Sequence, residues 1–281
     1  MPGTPAVTVA AALQNATSRG LDRLDAQLLL LDALGRTPLD RTWLIAHDTK
    51  ALTDSVQTRF AVGVQRRAAG EPLAYITGYK AFYGLDLQVD GRVLVPRPDT
   101  ETLVDWALDV LVDLPGAGVL DLGTGSGAIA LALKATRGDL NVLALDFSPD
   151  ALAVAQANAC RLGLEVQFAR SCWLDVVTGQ FDVVVSNPPY IAHQDPHLAQ
   201  LTYEPLQALA SGLDGLDDIR QIVKQAPAHL KPGGWLLLEH GYNQALGVRQ
   251  LLEAAGLQEV QSRCDLTGIE RCSGARQPWH S

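Results

Sequence analysis

From about residue 100 onward, the chain alternates short apolar runs of strand length with longer stretches of helical periodicity. This alternation predicts an α/β domain in which helices cover both faces of an open, parallel sheet. The predicted strands are 118–122, 140–145, 165–169, 181–185 and 235–239, and the predicted helices are 100–112, 126–136, 149–162, 215–230 and 242–255. Because ligands of such sheets bind beyond the carboxyl ends of the strands, the residues that follow each strand are the first candidates for a site.

A glycine-rich turn follows the first of these strands. The range Asp121–Gly127, with the sequence DLGTGSG, leads directly into an apolar helical stretch. Glycines let a ligand approach the backbone closely and reach the N-terminus of the following helix. The glycine spacing satisfies a dinucleotide-binding pattern, and Asp146, roughly 20 residues further on, follows the next strand, where a carboxylate accepts hydrogen bonds from a ribose diol. On these residues alone, a nicotinamide cofactor and S-adenosylmethionine fit almost equally well.

The tetrapeptide Asn187-Pro188-Pro189-Tyr190 follows the strand predicted at 181–185. Proline has no N–H and holds φ near about −65°, so this backbone presents carbonyl oxygens in a fixed geometry. The Asn187 side chain adds another carbonyl acceptor, and Tyr190 offers a flat face. Two acceptors aimed at one point suit an –NH2 group, which indicates methyl transfer to a planar nitrogen. The alternative is a simple turn, which Asn-Pro-Pro also forms after a strand.

The two motifs together favour S-adenosylmethionine. Asp121 precedes the glycines, where a carboxylate would repel a pyrophosphate but suits the cationic end of the methyl donor. The alternative for Asp121 is an acid that caps the loop. A nicotinamide-dependent oxidoreductase remains the other reading of the glycine pattern, although hydride transfer has no evident use for Asn-Pro-Pro-Tyr after the fourth strand.

A mechanism follows from the tetrapeptide. A carboxamide nitrogen is a poor nucleophile because its lone pair is delocalised, so the site must orient it at about 3 to 3.5 Å from the sulfonium methyl. The Asn187 side-chain oxygen and the Pro188 carbonyl would hold its two N–H bonds, and both hydrogen bonds strengthen as positive charge develops on nitrogen. No dedicated base is then required. His193 and His197, just beyond the motif, are predicted to be exposed loop residues.

The composition indicates an ordinary globular protein. Of the 281 residues, 47% are hydrophobic and 19% are charged, and no run of about 18 apolar residues predicts a membrane span. The segment Met1–Leu13 lacks the basic region of an export signal, so a cytoplasmic protein is expected. The four cysteines show no C-x-x-C spacing, and we predict neither a metal site nor disulfide bonds.

The charge is distributed unevenly along the chain. Residues 1–72 hold 8 Lys and Arg and 7 Asp and Glu, which leaves 14 and 24 of the totals of 22 and 31 for the remainder. The remainder is therefore strongly acidic. Because nucleic-acid binding usually requires a basic surface, we expect no stable binding of DNA or RNA. An acidic domain tolerates a basic protein partner well.

The first part of the chain has a different pattern. Residues 8 to about 70 predict short amphipathic helices that pack as a small bundle. One helix carries leucines at helical spacing (Leu24, Leu28, Leu31 and Leu34), and another runs from a cap at Asp54 to Gly70. Two β-prone pieces follow, Tyr75–Tyr83 and Leu85–Val89, and they predict a hairpin-like connector. The bundle is either a structural appendage or a platform that binds the substrate protein.

Taken together, these segments resemble the bacterial peptide-chain release-factor glutamine methyltransferases, the PrmC/HemK family. The resemblance covers nearly the whole chain, and its motifs occur in the order found in the family. They are Asp25-Ala26-Gln27-Leu28-Leu29, Glu71 to Gly78, Arg97 to Glu101, Asp121 to Gly127, Asp146, Asn187 to Tyr190, Tyr203-Glu204-Pro205 with Ala208-Leu209, and Leu238 to Gly241. Asn-Pro-Pro-Tyr alone is shared with amino-methyltransferases of DNA and RNA, but its combination with the two early segments is much more specific.

The resemblance implies a Rossmann-like S-adenosylmethionine-dependent methyltransferase sheet with a small N-terminal helical bundle, joined to it by a β-hairpin. The implied boundaries are 1–74 for a substrate-recognition domain, 75–97 for the connector and 98–281 for the methyltransferase domain. Two final strands, near 257–264 and 269–275, would close the sheet as a hairpin. The implied activity is N5-methylation of the glutamine in the Gly-Gly-Gln loop of peptide chain release factors, which supports translation termination.

The resemblance also assigns the site. The implied donor-binding residues are Gly123, Thr124, Gly125, Ser126, Gly127, Asp146, Trp173 and Asn187. The implied catalytic and substrate-binding residues are Asn187, Pro188, Pro189 and Tyr190, and the connection 193–211 would form a lid or a wall of the substrate site. A monomer that acts on release factors is expected. The alternative is an amino-methyltransferase of DNA adenine or RNA guanine, which would need a basic face.

Overall fold

The computed structural model describes residues 7–279 and divides into two compact units, Met1–Gly78 and Tyr79–Ser281. No export signal is expected in the segment Met1–Leu13. The first six residues of this segment lie outside the described range. No helix within residues 7–279 is long and apolar enough to cross a membrane.

The first unit is a bundle of short helices. They are α1 (Val9–Ser18), α2 (Arg23–Ala33), α3 (Arg41–Ala46), α4 (Asp54–Ala68) and α5 (Leu73–Thr77). Helices of this length are marginal on their own, so the unit depends on a shared core. Side chains from several helices, among them Val9, Leu30 and Phe60, form that core. The predicted small bundle is confirmed.

The start of α4 differs by one residue from the prediction. The cap is Thr53, whose Oγ1 accepts a hydrogen bond from the Val56 N–H at 3.4 Å. Asp54 is instead the first helical residue, where its charge is favourable beside the positive end of the helix dipole. Both residue types suit either position, so the sequence alone did not separate them.

The predicted leucine stripe of α2 differs from the structure at one position. Leu31 is buried, and Leu28 and Leu34 pack against the core, but Leu24 is 45% exposed. The helix also buries Ala26 and Leu30, which lie outside the stripe. The neighbours of α2 in the bundle therefore shift the buried side away from Leu24.

The second unit combines a two-stranded hairpin with a seven-stranded sheet. Its strands are β1 (Tyr79–Phe82), β2 (Leu85–Gln88), β3 (Gly118–Leu122), β4 (Asn141–Asp146), β5 (Gln167–Arg170), β6 (Phe181–Ser186), β7 (Leu230–Glu239), β8 (Gln258–Cys264) and β9 (Glu270–Arg276). Its helices are α6 (Glu101–Val110), α7 (Ala128–Thr136), α8 (Pro149–Leu162), α9 (Asp217–Gln225) and α10 (Ala245–Ala254). Most of these elements lie within a few residues of their predicted positions.

The large sheet has the order β5-β4-β3-β6-β7-β9-β8. The pairs from β5 to β7 are parallel, and β9 pairs antiparallel with both β7 and β8. The chain builds outward from β3 in one direction to β4 and β5, and then returns to the other side with β6. The strand order therefore switches at β3 and β6, where sheets of this kind open a crevice beyond the carboxyl ends.

The central strands are buried on both faces. Val119 of β3 and Val183 of β6 pack in a core with residues of α6 and α7. Their neighbours Leu120 and Val184 point to the opposite face, into a core that includes residues of α9 and α10. Because both faces are covered, these strands are continuous apolar runs. The Rossmann-like fold class predicted from the sequence is confirmed.

The hairpin begins later than predicted. β1 and β2 pair through a two-residue turn in which Tyr83 and Gly84 have φ of 48° and 76°, as a tight hairpin turn requires. The β structure predicted from residue 75 is wrong, because Tyr75–Thr77 belong to α5. Pro72 precedes that helix, and Gly78 ends it in a left-handed conformation. Proline and glycine are common at the start and at the end of helices, respectively.

β7 is longer than predicted. The sequence places a turn at 231–234, but the strand starts at Leu230. Gly233 has φ of 77°, and its N–H bonds to the Gln277 carbonyl at 3.0 Å, while the register with β6 shifts between Phe181 and Val183. The irregular segment is therefore kept inside the ladder as a bulge. Residue propensity alone predicts a turn at Pro232-Gly233-Gly234.

A buried asparagine fastens the hairpin to α8. Asn158 Oδ1 accepts a hydrogen bond from the Gln88 N–H at 2.7 Å, and its Nδ2 donates to the carbonyls of Gln88 and Ser126 at 3.0 and 2.9 Å. The side chain is fully buried. It thus acts as a short strand partner for β2 and also braces the glycine turn after β3.

We expect Asn158→Ala to lower the free energy of unfolding by about 2 to 3 kcal/mol, because it leaves several backbone groups without partners. Urea unfolding of the full chain measures this. The matched control is Asn141→Ala, which loses one exposed hydrogen bond to the Gly116 carbonyl and should cost less than about 1 kcal/mol. Equal losses in the two variants would contradict the bracing role.

Candidate active site

A cavity of about 300 Å³ lies at the carboxyl ends of the parallel strands. The turns that follow β3, β4, β5 and β6 all contribute to its lining. The predicted site residues that line it are Gly123, Gly125, Asp146, Trp173, Asn187 and Pro189. The structure thus brings residues that are up to 66 positions apart in the sequence together around one cavity, since parallel pairing aligns their strand ends.

The glycine turn after β3 depends on backbone conformations that favour glycine. Gly123, Gly125 and Gly127 have φ of 71°, 56° and 86°. Gly123 and Gly125 line the cavity. A Cβ atom at Gly127 would lie only 2.9 Å from Leu131 Cδ1, so this glycine permits the close start of α7. The three glycines therefore divide between exposing backbone to the cavity and packing the helix.

Asp121 holds this turn from behind. Its carboxylate is fully buried, and Oδ2 accepts hydrogen bonds from Thr124 Oγ1 at 2.6 Å and from the Ala130 N–H at 3.2 Å. Burial raises the pKa of Asp121 to about 7 in spite of these bonds. These contacts are those of an acid that caps the loop, which was the alternative interpretation of Asp121. Thr124 and Ser126 are likewise buried in the turn and do not form part of the cavity lining.

Asp146 connects the glycine turn to the end of β4. Its Oδ2 accepts a hydrogen bond from the Gly125 N–H, and its Oδ1 accepts one from the Ser148 N–H, both at 2.9 Å. Burial raises its pKa. Each carboxylate oxygen has a second lone pair. The residue is thus rigidly placed at the cavity wall and retains the capacity to accept hydrogen bonds from hydroxyl groups.

Trp173 forms a flat wall beside the glycine turn. A Cβ atom at Gly123 would lie 3.4 Å from its ring, and its Nε1 donates to Asp218 Oδ1 at 3.0 Å. Ser171, which directly follows β5, lines the same cavity, and its buried Oγ has no hydrogen-bond partner within residues 7–279. Sequence reasoning missed both Ser171 and Asp218. The strand-end rule would have found Ser171, whereas Asp218 arrives from a distant helix without a local signal.

Asn187 stands between two cavities. It lines the large cavity and also a neighbouring one of about 100 Å³, to which Arg97 and Tyr190 contribute. Its Nδ2 donates to Thr100 Oγ1 at 3.1 Å, while its Oδ1 is buried and has no partner among the described residues. A buried acceptor without a partner costs about 1 to 3 kcal/mol. This oxygen therefore offers a strong site for a donor group on a ligand.

Two other residues of the tetrapeptide line one cavity each. Pro189 lines the large cavity, Tyr190 lines the small one, and Pro188 between them is buried. Burial raises the pKa of the Tyr190 phenol well above its ordinary value, so it remains protonated. His193 and His197, beyond the tetrapeptide, are exposed.

A partly exposed ion pair with a buried carboxylate joins two distant segments at the rim. Glu204 Oε1 accepts a hydrogen bond from the Arg97 guanidinium at 2.5 Å, and its Oε2 accepts one from the Val95 N–H at 3.1 Å. The chain beside Glu204 then supplies Pro205 and Gln207 to the large cavity. The connection 193–211 therefore contributes a wall to the site.

The comparisons with known proteins cover both units. Residues 101–265 match the family model of the methyltransferase small domain, and residues 8–78 match that of the PrmC N-terminal domain. The release factor glutamine methyltransferase of Burkholderia pseudomallei (strain K96243) is 48% identical over 284 residues, which cover 98% of each chain. The protein of the same name from Pseudomonas aeruginosa is 49% identical over 253 residues, covering 89% of this chain and 90% of that one.

Among solved structures, a methyltransferase from Pyrococcus furiosus has the same fold, with a TM-score of 0.53 and 20% identity over 78% of this chain and 98% of that chain. The fold, the cavity at the strand ends and the small-domain match define the class: the protein is a methyltransferase. Its identity to named relatives over nearly the whole length is more specific. The chain belongs to the release factor glutamine methyltransferase family, and the resemblance recognised in the sequence is confirmed.

Asp121 makes the stability of the protein depend on pH. Because its pKa is raised to about 7, the folded protein retains a proton that the unfolded chain releases near about pH 4. Stability therefore falls as the pH rises through this window and levels off above it. We expect the unfolding free energy of the wild type, relative to Asp121→Asn, to fall by about 2 kcal/mol between about pH 5 and pH 8.

Urea unfolding at several pH values measures this difference. Asp139→Asn is the control, since a hydrogen bond from Arg137 lowers the pKa of Asp139 and keeps it ionised over the whole range. The wild-type value relative to this control should stay flat. A similar slope with both variants would show that Asp121 is not the titrating group.

Proposed function

We propose that the protein transfers a methyl group from S-adenosylmethionine to the side-chain amide nitrogen, N5, of the glutamine in the Gly-Gly-Gln loop of peptide chain release factors. Membership of the family supports this substrate. The observation that carries it at the site is Asn187 Oδ1, a buried acceptor that has no partner among the described residues and lies between two cavities. An amide –NH2 group supplies the donor that this oxygen lacks.

The large cavity suits S-adenosylmethionine by its chemistry. The ring of Trp173 matches a planar base, the spare lone pairs of Asp146 match a ribose diol, and Gly123 and Gly125 allow close approach of the backbone. Asn187 borders both donor and substrate. We assign Thr124, Ser126 and Gly127 to the support of the turn, since they lie behind it. When bound, S-adenosylmethionine supplies an electrophilic methyl group on sulfur.

The tetrapeptide orients the substrate. The Asn187 side-chain oxygen and the Pro188 carbonyl accept hydrogen bonds from the two N–H groups of the glutamine amide, and Tyr190 lines the small cavity beside them. Both hydrogen bonds strengthen as positive charge develops on nitrogen, so they stabilise the transition state more than the bound substrate. The N–C bond would form as the sulfonium S–C bond breaks, and the methylated amide, which is then strongly acidic, would lose one proton to solvent. Positioning therefore replaces a strong base in this arrangement.

We assign recognition of the release factor to the first compact unit, whose residues 8–78 match the PrmC N-terminal domain. In this proposal the recognition domain extends to Gly78, and the β1–β2 hairpin belongs to the catalytic domain. The strong negative charge of the remainder of the chain suits a basic protein surface better than a nucleic-acid backbone. We further propose that the protein acts as a monomer in the cytoplasm.

The direct test is to incubate the full-length protein with S-adenosylmethionine and a release factor, followed by mass spectrometry of the tryptic peptides. The expected product carries one added methyl group on the Gly-Gly-Gln glutamine. Parallel reactions with DNA and RNA test the alternative of an amino-methyltransferase of nucleic-acid bases. Methylation of nucleic acid alone, or of a different protein residue, would overturn the proposal.

We expect Asn187→Ala to reduce methyl transfer by at least about 100-fold, because one of the two acceptors for the substrate amide is lost. Donor affinity, measured by calorimetry, should change by less than about tenfold, since the glycine turn and Asp146 remain. Asn141→Ala, a change of an exposed asparagine at the amino end of β4 and away from both cavities, serves as the control and should retain the wild-type rate. Wild-type turnover by Asn187→Ala would refute the mechanism.

We expect Asp146→Asn to weaken donor affinity by about 10- to 100-fold, because an amide replaces one acceptor oxygen and the charge is removed. Turnover at saturating donor should fall much less. The matched control is Asp150→Asn on the exposed face of α8, with unchanged affinity. If Asp146→Asn bound the donor as tightly as the wild type, Asp146 would have no role in donor binding.

A further inference from the structure

Two segments that are distant in the sequence line both cavities of the site. Residues 92–97 lie between the β1–β2 hairpin and α6, and residues 201–209 lie in the connection that follows the tetrapeptide. Each segment contributes to the large cavity and to the small one, and Leu94 and Ala208 line both. We call these two segments the cover. The two cavities therefore share part of their walls.

The cover is not part of the cores that hold the sheet. Among the described residues, the two cores of the second unit include none from 92–97 or 201–209. The outer side of the second segment is open to solvent, since Tyr203 and Leu206 are exposed. Segments with few core contacts open easily unless specific hydrogen bonds hold them.

Glu204 joins the two segments of the cover. Its carboxylate accepts hydrogen bonds from the Val95 N–H at 3.1 Å and from the Arg97 guanidinium at 2.5 Å. The Glu204 side chain is only 3% exposed, and the residue lines neither cavity. A buried carboxylate is costly unless its hydrogen bonds are made, so the buried position of Glu204 requires the two segments to stay together.

Backbone hydrogen bonds hold the far end of the second segment. Ile191, directly after the tetrapeptide, pairs with Ala210 in an isolated parallel bridge. Its N–H donates to the Leu209 carbonyl at 2.9 Å, and its carbonyl accepts from the Ser211 N–H at 2.8 Å. The part of the cover that lies over the cavities is thus fixed at one end by the backbone and at the other by Glu204.

A cover that is in place before a ligand arrives increases the affinity for both ligands. If only a fraction of the molecules had the cover in place, each apparent dissociation constant would rise by the inverse of that fraction. The first ligand would then have to order the cover, and the second ligand would bind to a cover that is already ordered. Loss of the link would therefore weaken the binding of each ligand alone more than the binding of both together.

We propose that Glu204 is a positioning residue that holds the cover over both cavities before either ligand binds. It does so by tying residues 92–97 to residues 201–209 through Val95 and Arg97. This inference rests on the proposed function for the identity of the two ligands. Glu204 touches neither ligand in this arrangement and acts only through the position of the shared walls.

The binding test uses Glu204→Gln in the full-length protein. The new –NH2 group would face the Val95 N–H or the Arg97 guanidinium, which are both donors. The probe is S-adenosylhomocysteine, the donor without its methyl group, so that a release factor can be added without reaction. We expect the affinity of the ligand-free variant for this probe, measured by calorimetry, to be about 10- to 100-fold weaker than that of the wild type.

The second ligand gives the readout that separates positioning from a purely structural role. With saturating release factor present, the affinity of Glu204→Gln for S-adenosylhomocysteine should return to within about threefold of the wild-type value. The kcat at saturating S-adenosylmethionine and release factor should likewise remain within about threefold of the wild type.

Arg97→Gln tests the same link from the other segment. Arg97 lines the small cavity but not the large one, so its loss can weaken probe binding only through the cover. The matched control is Asp139→Asn. Asp139 also accepts hydrogen bonds from an arginine, Arg137, and from a backbone N–H, that of Gly116, but it lies just before the amino end of β4. This control should bind the probe with wild-type affinity.

Hydrogen exchange followed by mass spectrometry observes the cover without any substrate protein. In the ligand-free state, peptides that contain residues 92–97 and 201–209 should exchange at least about tenfold faster in Glu204→Gln than in the wild type. S-adenosylhomocysteine should restore their protection. Peptides from α10 should exchange at the same rate in both proteins.

Three results would overturn the proposal. The first is wild-type affinity and wild-type exchange in Glu204→Gln. The second is a loss of affinity that is not restored by a release factor that binds the wild type. The third is faster exchange throughout Glu204→Gln, which would show general damage to the fold. If no release factor bound the wild type, the proposed function would fail, while probe affinity and exchange in the two variants would still decide on the role of Glu204.

Discussion

The parallel pairing of β3 with both β4 and β6 is the constraint on which the site depends. It places three strand ends side by side, so that the glycine turn, Asp146 and Asn187 converge although long helices separate them in the sequence. The same pairing carries the neighbouring strand β7 and brings Glu239 next to Asn187. Helices cover both faces of these strands, and the cavity lies at the edge beyond the strand ends.

The polar groups at this edge serve two different purposes. Asp121 and Asn158 support the turn from behind, and their hydrogen bonds are made within the protein, with backbone groups and with the Thr124 hydroxyl. Asn187 and Ser171 line the cavity, and Asn187 Oδ1 and Ser171 Oγ lack partners among the described residues. The first kind holds the shape of the site, and the second lowers stability until a ligand supplies the missing hydrogen bond.

Much of this arrangement could be predicted from the sequence because it depends on local residue patterns. Strand ends were placed well, since an apolar run stops where burial stops, and family and fold class were confirmed. The errors arose where local pattern and tertiary context disagree: Leu24 is exposed because the bundle covers another side of α2, and Gly233 lies within β7 because a bulge fits the ladder. The donor-binding roles of Thr124, Ser126 and Gly127 stay predictions. Because these residues lie behind the turn, they would act on donor binding indirectly, through the shape of the turn. Thr100 and Asn187 were visible as residues of separate motifs, but the hydrogen bond between them was not.

The sequence by itself determined the sheet, the glycine turn, the tetrapeptide and the class of chemistry, because hydrophobic periodicity and backbone restrictions act over short distances. Only the tertiary structure decided which side chains of each motif face the cavity and which lie behind it. It also decided that Asn187 is hydrogen-bonded to Thr100, and Tyr190 to Glu239. Residues far apart in the sequence become hydrogen-bond partners only in space. Residues 100 and 187, and likewise residues 190 and 239, meet only when separate strands and a helix start come together at the same edge of the sheet.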